Sequence, residues 1–183
     1  MSQSTLLSQA ITKIFPTLSI SERQTLITTM QKASFPAGTK VFNQGEQGDS
    51  LYAIVEGSVQ IRYRLEGAPS RDTLLANLGA GSLFGEMCVF GDHARSASAV
   101  CATTVTLYRF SRADLAKQPP EILLKLYQSF ADILSSRLAN LNKRFAELMV
   151  FPDVMTNEGD RRIPMGELQK RIFAELMGLD SDH

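Results

Sequence analysis

The chain of 183 residues is 44% hydrophobic, enough to bury a proper core, so one domain with a helical appendage is the default expectation. Its 19 Lys and Arg balance 19 Asp and Glu, which leaves no net field to draw it to nucleic acid or to an anionic membrane surface. No apolar run approaches the roughly 20 residues of a membrane span, and the opening MSQSTLLSQAITK lacks the charged start and long apolar segment of a signal peptide. A cytoplasmic location is therefore expected.

The first forty residues read as short helices, with 1–37 as an N-terminal helical segment. STLLSQAITKIF carries Leu6, Ile11, Ile14 and Phe15 at roughly helical spacing, and LSISERQTLITTMQKASF offers Ser19 or Ser21 as an N-cap. From Thr39 the period changes. KVFNQGEQGDSLYAIVEGSVQIRYRLEG places apolar residues at alternate positions, clearest at Val59, Ile61, Tyr63 and Leu65, with glycines at short intervals. DTLLANLGAGSLFGE repeats that pattern, and SAVCATTVTLYRFSRADL gives a further strand from Thr104 to Phe110. Several short strands with Gly turns point to a sandwich or barrel over residues 38–118. Cys88 and Cys101 sit in apolar sequence and read as small core residues, not as a disulfide or a metal site.

After QPPE the pattern changes again. Pro119 and Pro120 suit a helix start, and Glu121 to Met149 lacks Gly and Pro. Phe130, Leu134, Leu138, Leu141, Phe145 and Leu148 form an apolar stripe at three- and four-residue spacing. At 1.5 Å per residue this helix is roughly 43 Å long, more than a small barrel needs for cover. Part of the stripe is expected to meet a partner, most simply a second copy; packing onto the barrel alone is the competing reading. The segment 119–149 is thus a lid or dimerisation helix. Residues 150–183 then read as a linker, FPDVMTNEGDRRIPM, and a last amphipathic helix ending near Gly178.

The segment FGEMCVFGDHARSASAV, Phe84 to Val100, contains Glu86 and Arg95 among mostly small or apolar residues. Buried charges are costly unless paired, so either these two satisfy each other or a ligand satisfies them. A short helical turn after Gly85 would leave N–H groups at its start available to an anion. Arg95 supplies a fixed positive fork for phosphate oxygens, with the Ser96 hydroxyl beside it. Glu86 is an acceptor only, and its natural partner near a phosphate is a sugar hydroxyl. Together they describe a site for a small phosphorylated sugar.

This same segment closely resembles the phosphate-binding cassette of the cyclic nucleotide-binding domain, found in bacterial catabolite activators, kinase regulatory subunits and nucleotide-gated channels. NQGEQGDSLYAIVEGSVQI is similar to that family's glycine-punctuated strand pair, and the resemblance covers about Ile14 to Leu148. It implies a mainly β fold with flanking helices (α+β), a jelly-roll β-barrel of the cyclic nucleotide-binding type with a long C-terminal helix, holding a 3′,5′-cyclic nucleotide. By position, in the stretch opening at Phe84, Glu86 would accept from the ribose 2′-hydroxyl and Arg95 would pair with the cyclic phosphate. Gly85, Met87, Cys88 and Ala97 would give backbone donors, and Ser96 would touch phosphate or base. Ala94 stands where members often have Pro. ARSASAV resembles the bacterial version of the motif, which favours cAMP over cGMP. LSSRLANL is loosely similar to the TSxKVGNL region of bacterial activators, so the base contact falls to Ser135, Ser136 or Arg137.

Catabolite activators carry a winged helix-turn-helix after this helix, whereas here 34 residues follow Met149, with a small basic cluster in GDRRIPMGELQKR. The expected function is a stand-alone cyclic nucleotide sensor that acts on a protein partner through its C-terminal helices, without nucleic acid or membrane. A phosphodiesterase would need metal ligands or a base, and two histidines, His93 and His183, supply neither cluster, so neither catalysis nor a metal is expected. The alternatives are a nucleotide-free interaction scaffold and a DNA-binding type of regulator without a recognisable DNA domain.

Overall fold

The computed structural model describes residues 3–65, 72–91 and 94–149, with 144–149 by backbone alone. Helix α1 (Gln3–Ile14) buries Leu7, Ala10, Ile11 and Ile14, the spacing of one helix face. Helix α2 (Ile20–Thr29) starts at Ser19. The Glu22 N–H donates to Ser19 Oγ at 3.3 Å, and the Ser19 N–H donates to Glu22 Oε2 at 2.6 Å. This reciprocal box makes Ser19, and not Ser21, the N-cap.

Among the described residues eight strands follow: β1 (Gln31–Phe35), β2 (Lys40–Phe42), β3 (Ser50–Glu56), β4 (Ser58–Arg64), β5 (Asp72–Gly79), β6 (Leu83–Phe84), β7 (Ser98–Cys101) and β8 (Val105–Ser111). They build two antiparallel four-stranded sheets in the orders β1-β8-β3-β6 and β2-β7-β4-β5. The expected jelly roll is therefore present as two facing sheets that do not close into a barrel. Between them lie Phe42, Ile54, Val59, Phe84, Ala99, Cys101, Val105 and Leu107. Both cysteines are buried as expected, and burial pushes the Cys101 thiol pKa up.

The helical reading of the first forty residues ends too late. Gln31–Phe35 is a strand that pairs with β8 from Arg109 to Val105, its Ala33 and Phe35 turned partly inward and Lys32 and Ser34 outward. Five residues hold too little of either period to outweigh the ladder that a neighbouring strand offers.

Among the described residues three further helices are present: α3 (Met87–Phe90), α4 (Arg112–Ala116) and α5 (Pro120–Met149). Ser111 and Asp114 cap α4 reciprocally. Pro120 opens α5, where its missing N–H costs nothing. Ile122, Leu126 and Phe130 bury one face of α5, and Lys125 Nζ donates to both oxygens of Glu22 at 2.8 and 2.9 Å.

The stripe read from sequence thus divides. Phe130 belongs to the buried face, while Leu134, Leu138 and Leu141 are exposed, as are Leu124 and Tyr127 outside that stripe. The side chains of Phe145 and Leu148, the linker and the last helix lie outside the described residues. The chain forms two compact units, Met1–Ala131 and Asp132–His183. Among the described residues no helix is long and apolar enough to cross a membrane.

Candidate functional site

Strand β6 delivers Phe84 into the core, paired with Tyr52 of β3. The next residue, Gly85, has φ +77°, a left-handed conformation that a side chain disfavours. A Cβ there would also stand 2.7 Å from Arg95 Nη1 and 3.3 Å from the Ser50 carbonyl oxygen. The turn sends Glu86 inward, to 3% exposure, and α3 follows at once. The Gly91 N–H closes that helix on the Met87 carbonyl at 3.1 Å. The first-turn N–H groups of Met87 and Cys88 have no preceding helical carbonyl to bond. Cys88 and Val89 are buried, and Met87 and Phe90 face outward.

Arg95 returns to the same place at 5% exposure. Its backbone is locked to the β2–β3 loop: the Arg95 N–H donates to the Glu46 carbonyl and the Gly45 N–H to the Arg95 carbonyl, both at 2.8 Å. Nη1 donates to the Gly85 carbonyl at 2.9 Å. The guanidinium carbon lies 4.0 Å from the Phe42 ring centre and 5.9 Å from that of Tyr52. Gly48 presses against it so closely that a Cβ would fall 2.4 Å from Nε. Nε is buried with no hydrogen-bond partner. A buried donor left so is expensive, and a site of this kind gains from a ligand acceptor.

The loop carries two carboxylates, both with pKa values below the ordinary range. Hydrogen bonds from Asn43 hold Glu46 down, with the Arg95 charge adding to them. The Ser50 hydroxyl does the same for Asp49, with Arg109 at 3.2 Å assisting.

Residues 32–118 match the family model of the cyclic nucleotide-binding domain. A curated relative, the CRP-like cAMP-activated global transcriptional regulator of Mycobacterium tuberculosis, is 36% identical over 129 residues, covering 68% of this chain and 54% of that protein. Residues 32–118 are a cyclic nucleotide-binding domain. The chain spans about half the length of that relative. Among solved structures, the catabolite activator protein of Thermus thermophilus superposes with TM-score 0.65 at 29% identity, over 74% of this chain and 62% of that one. A cyclic nucleotide-binding domain from Methylobacillus flagellatus gives TM-score 0.73 at 21% identity, over 82% and 88%, which speaks for the fold.

In this cyclic nucleotide-binding domain the residues read from sequence are largely brought together. Phe84, Gly85, Glu86, Met87 and Cys88 form one continuous turn, and Gly85 touches Arg95. Ser96 is exposed, its Oγ 3.6 Å from Met87 Sδ, and Ala97 is buried. Ser135 and Ser136 are exposed and Arg137 is half-buried on α5, in the unit that begins at Asp132.

Sequence reasoning missed four contributors. Phe42 and Tyr52 lie beside the guanidinium, and Gly48 leaves room for it. Arg112 Nη2 donates to the carbonyls at the end of α3, to Cys88 at 2.7 Å and Gly91 at 3.2 Å. The available signal was the spacing of Gly45 and Gly48 in NQGEQGDS, since glycines so close together in a strand connection mark a tight backbone approach.

Proposed function

We propose that this domain binds a 3′,5′-cyclic nucleotide, cAMP in preference to cGMP, and that the chain is a regulatory sensor and not an enzyme. The observation that carries the reading is Arg95: a permanently charged group, almost wholly buried, with Nε unpaired and Nη1 on the carbonyl of the Gly85 turn. A cyclic phosphate fits that donor set. Glu86 accepts from the ribose 2′-hydroxyl, and the backbone of Gly85, Met87, Cys88 and Ala97 donates around the phosphate. Ser96 serves phosphate or base, and the base edge falls to Ser135, Ser136 or Arg137 of α5. The name of the Mycobacterium relative, cAMP-activated, supports cAMP.

Output runs through α5. Phe90, on the helix that follows Glu86, meets the Tyr127 and Phe130 rings at 5.4 and 4.6 Å, so a shift of α3 is felt directly by α5. The exposed leucines of α5 make a homodimer seam, and a protein partner reads the helix position. Ligand control then requires that cAMP bind two positions of α3 and α5 with different affinity.

The test is calorimetric titration of refolded, nucleotide-stripped protein with cAMP and separately with cGMP. Micromolar or tighter cAMP binding with weaker cGMP binding is expected. Folded protein that binds neither would overturn the reading and put the interaction scaffold in its place.

A further inference from the structure

A guanidinium does not shed its proton, so burying one leaves a charge that its neighbours must compensate whether or not a ligand is present. Around Arg95 the nearest compensation is the Gly85 carbonyl at 2.9 Å and the face of Phe42 at 4.0 Å, with the Glu46 carboxylate of the neighbouring loop acting at longer range. The ring is itself held. It packs against Tyr52 and Phe84 with centroids 6.1 and 5.8 Å away, while Tyr52 stacks on Phe84 at 5.3 Å. Strand pairing aims it: Lys40 lies opposite Val100 and Phe42 opposite Ala99, so Val41 is an extra residue in a bulge. Such a bulge redirects the side chain after it, and Phe42 is buried where Val41 is only partly so.

We infer that Phe42 is a positioning residue for the ligand: its π face holds the Arg95 guanidinium in the site before a cyclic nucleotide arrives. A cation lying over a ring face spends none of its in-plane N–H donors on that contact, so the fork stays available to phosphate oxygens. An aliphatic side chain of similar size would fill the core equally well but would leave the Arg95 guanidinium held by one carbonyl and the longer-range attraction of Glu46. The long side chain would then regain other rotamers, and affinity would fall with the fraction of molecules that keep the competent one. The inference rests on the cyclic nucleotide reading above.

The experiment titrates cAMP into the full chain and three variants: Phe42→Leu, Phe42→Tyr, and a chain with 3,4,5-trifluorophenylalanine at position 42. Fluorination keeps the ring's shape and drains the negative charge from its face. Phe42→Leu is expected to bind about tenfold more weakly or worse, Phe42→Tyr to bind nearly as the parent does, and the fluorinated chain to fall between. A fluorinated chain that binds as tightly as the parent overturns the inference, because packing alone would then explain any loss in Phe42→Leu. The fluorinated chain also decides the matter if Phe42→Leu fails to fold. A parent chain that binds no cAMP is a separate result, which removes the functional reading and this inference with it.

Discussion

The rings of Phe90 and Phe130 lie 4.6 Å apart, centre to centre, joining the helix that follows Glu86 to the start of α5. Phe130 in turn meets Phe15, the residue just after α1, edge-on at 5.6 Å. The two contacts make Phe130 a junction between α3, the segment just after α1 and the long helix. Phe90 is still 37% exposed, so it is held by this contact more than by burial.

Phe90→Ala is therefore expected to separate binding from response. Loss of a partly exposed ring should cost about 1–2 kcal/mol of stability. Affinity for cAMP should change by less than about threefold, because the Arg95 contacts described above do not involve Phe90. Hydrogen exchange over Pro120–Ala131 tests the response: cAMP should alter protection there in the parent and leave it unaltered in the variant. An undiminished change in Phe90→Ala would remove this pair from the output path.

Gly48→Ala should damage the site and spare the fold. The added Cβ would stand 2.4 to 2.6 Å from Nε, Cζ and Nη2 of Arg95. Those atoms are the far end of a flexible side chain, so the clash is relieved by displacing the guanidinium from the Gly85 carbonyl and the Phe42 face and not by moving backbone. Stability should thus fall by about 1–3 kcal/mol, with the fold kept, while cAMP affinity falls at least about tenfold, toward that of Arg95→Ala, which forfeits a charged hydrogen bond worth roughly 1.5–3 kcal/mol. Parallel titration and thermal melts of the two variants make the comparison. Parent-like affinity in Gly48→Ala would mean that Arg95 need not keep its present place.

These glycines show what the sequence displays and what it hides. The alternation of Val59, Ile61 and Tyr63 announced β4, and the change of period at Pro119 and Pro120 announced α5, because each pattern is repeated over several residues. The turn at Gly85 and the charges of Glu86 and Arg95 were legible because they are local and out of keeping with their apolar surroundings. Phe42 was not. Nothing in KVF distinguishes a ring that fills the core from one that lies beside a guanidinium far along the chain, and only the bulge and the sheet pairing bring them together. Strand β1 and helix α4 were missed for a different reason: five residues each are too short to display a period, and β8 or the Ser111–Asp114 cap decides their form.

The Glu22 carboxylate gives a pH dependence with a definite sign. Hydrogen bonds from Lys125 above all, and then from Ser19, lower its pKa from 4.5 to about 2. A depressed folded-state value stabilises the fold above the unfolded value, and that contribution is lost as pH falls through the folded one. Glu22→Gln keeps a side chain suited to the capping box and removes the charge. Its melting temperature should lie below the parent's by a constant margin above about pH 5, and the margin should close as pH falls from about 4.5 toward 2. Added salt should narrow it at neutral pH, since Lys125 is partly exposed. A margin that does not vary with pH would assign the effect to packing instead.

Leu141→Glu tests the proposed seam. Leu124, Tyr127, Ala131, Leu134, Leu138 and Leu141 recur along α5 in alternating steps of three and four residues, the spacing that faces a second helix. All are exposed, Leu141 at 63%. The buried face of Ile122, Leu126 and Phe130 is a different one, so these leucines are not needed to cover the β-sheets. A carboxylate at position 141 would have to be desolvated in each copy of a dimer, and two of them would meet across the axis. The parent should therefore sediment as a dimer and Leu141→Glu as a monomer, with the circular dichroism of the β core unchanged. A parent that is already monomeric at tens of micromolar, or a variant that remains dimeric, would mean that the seam meets something other than a second copy or lies outside the interface.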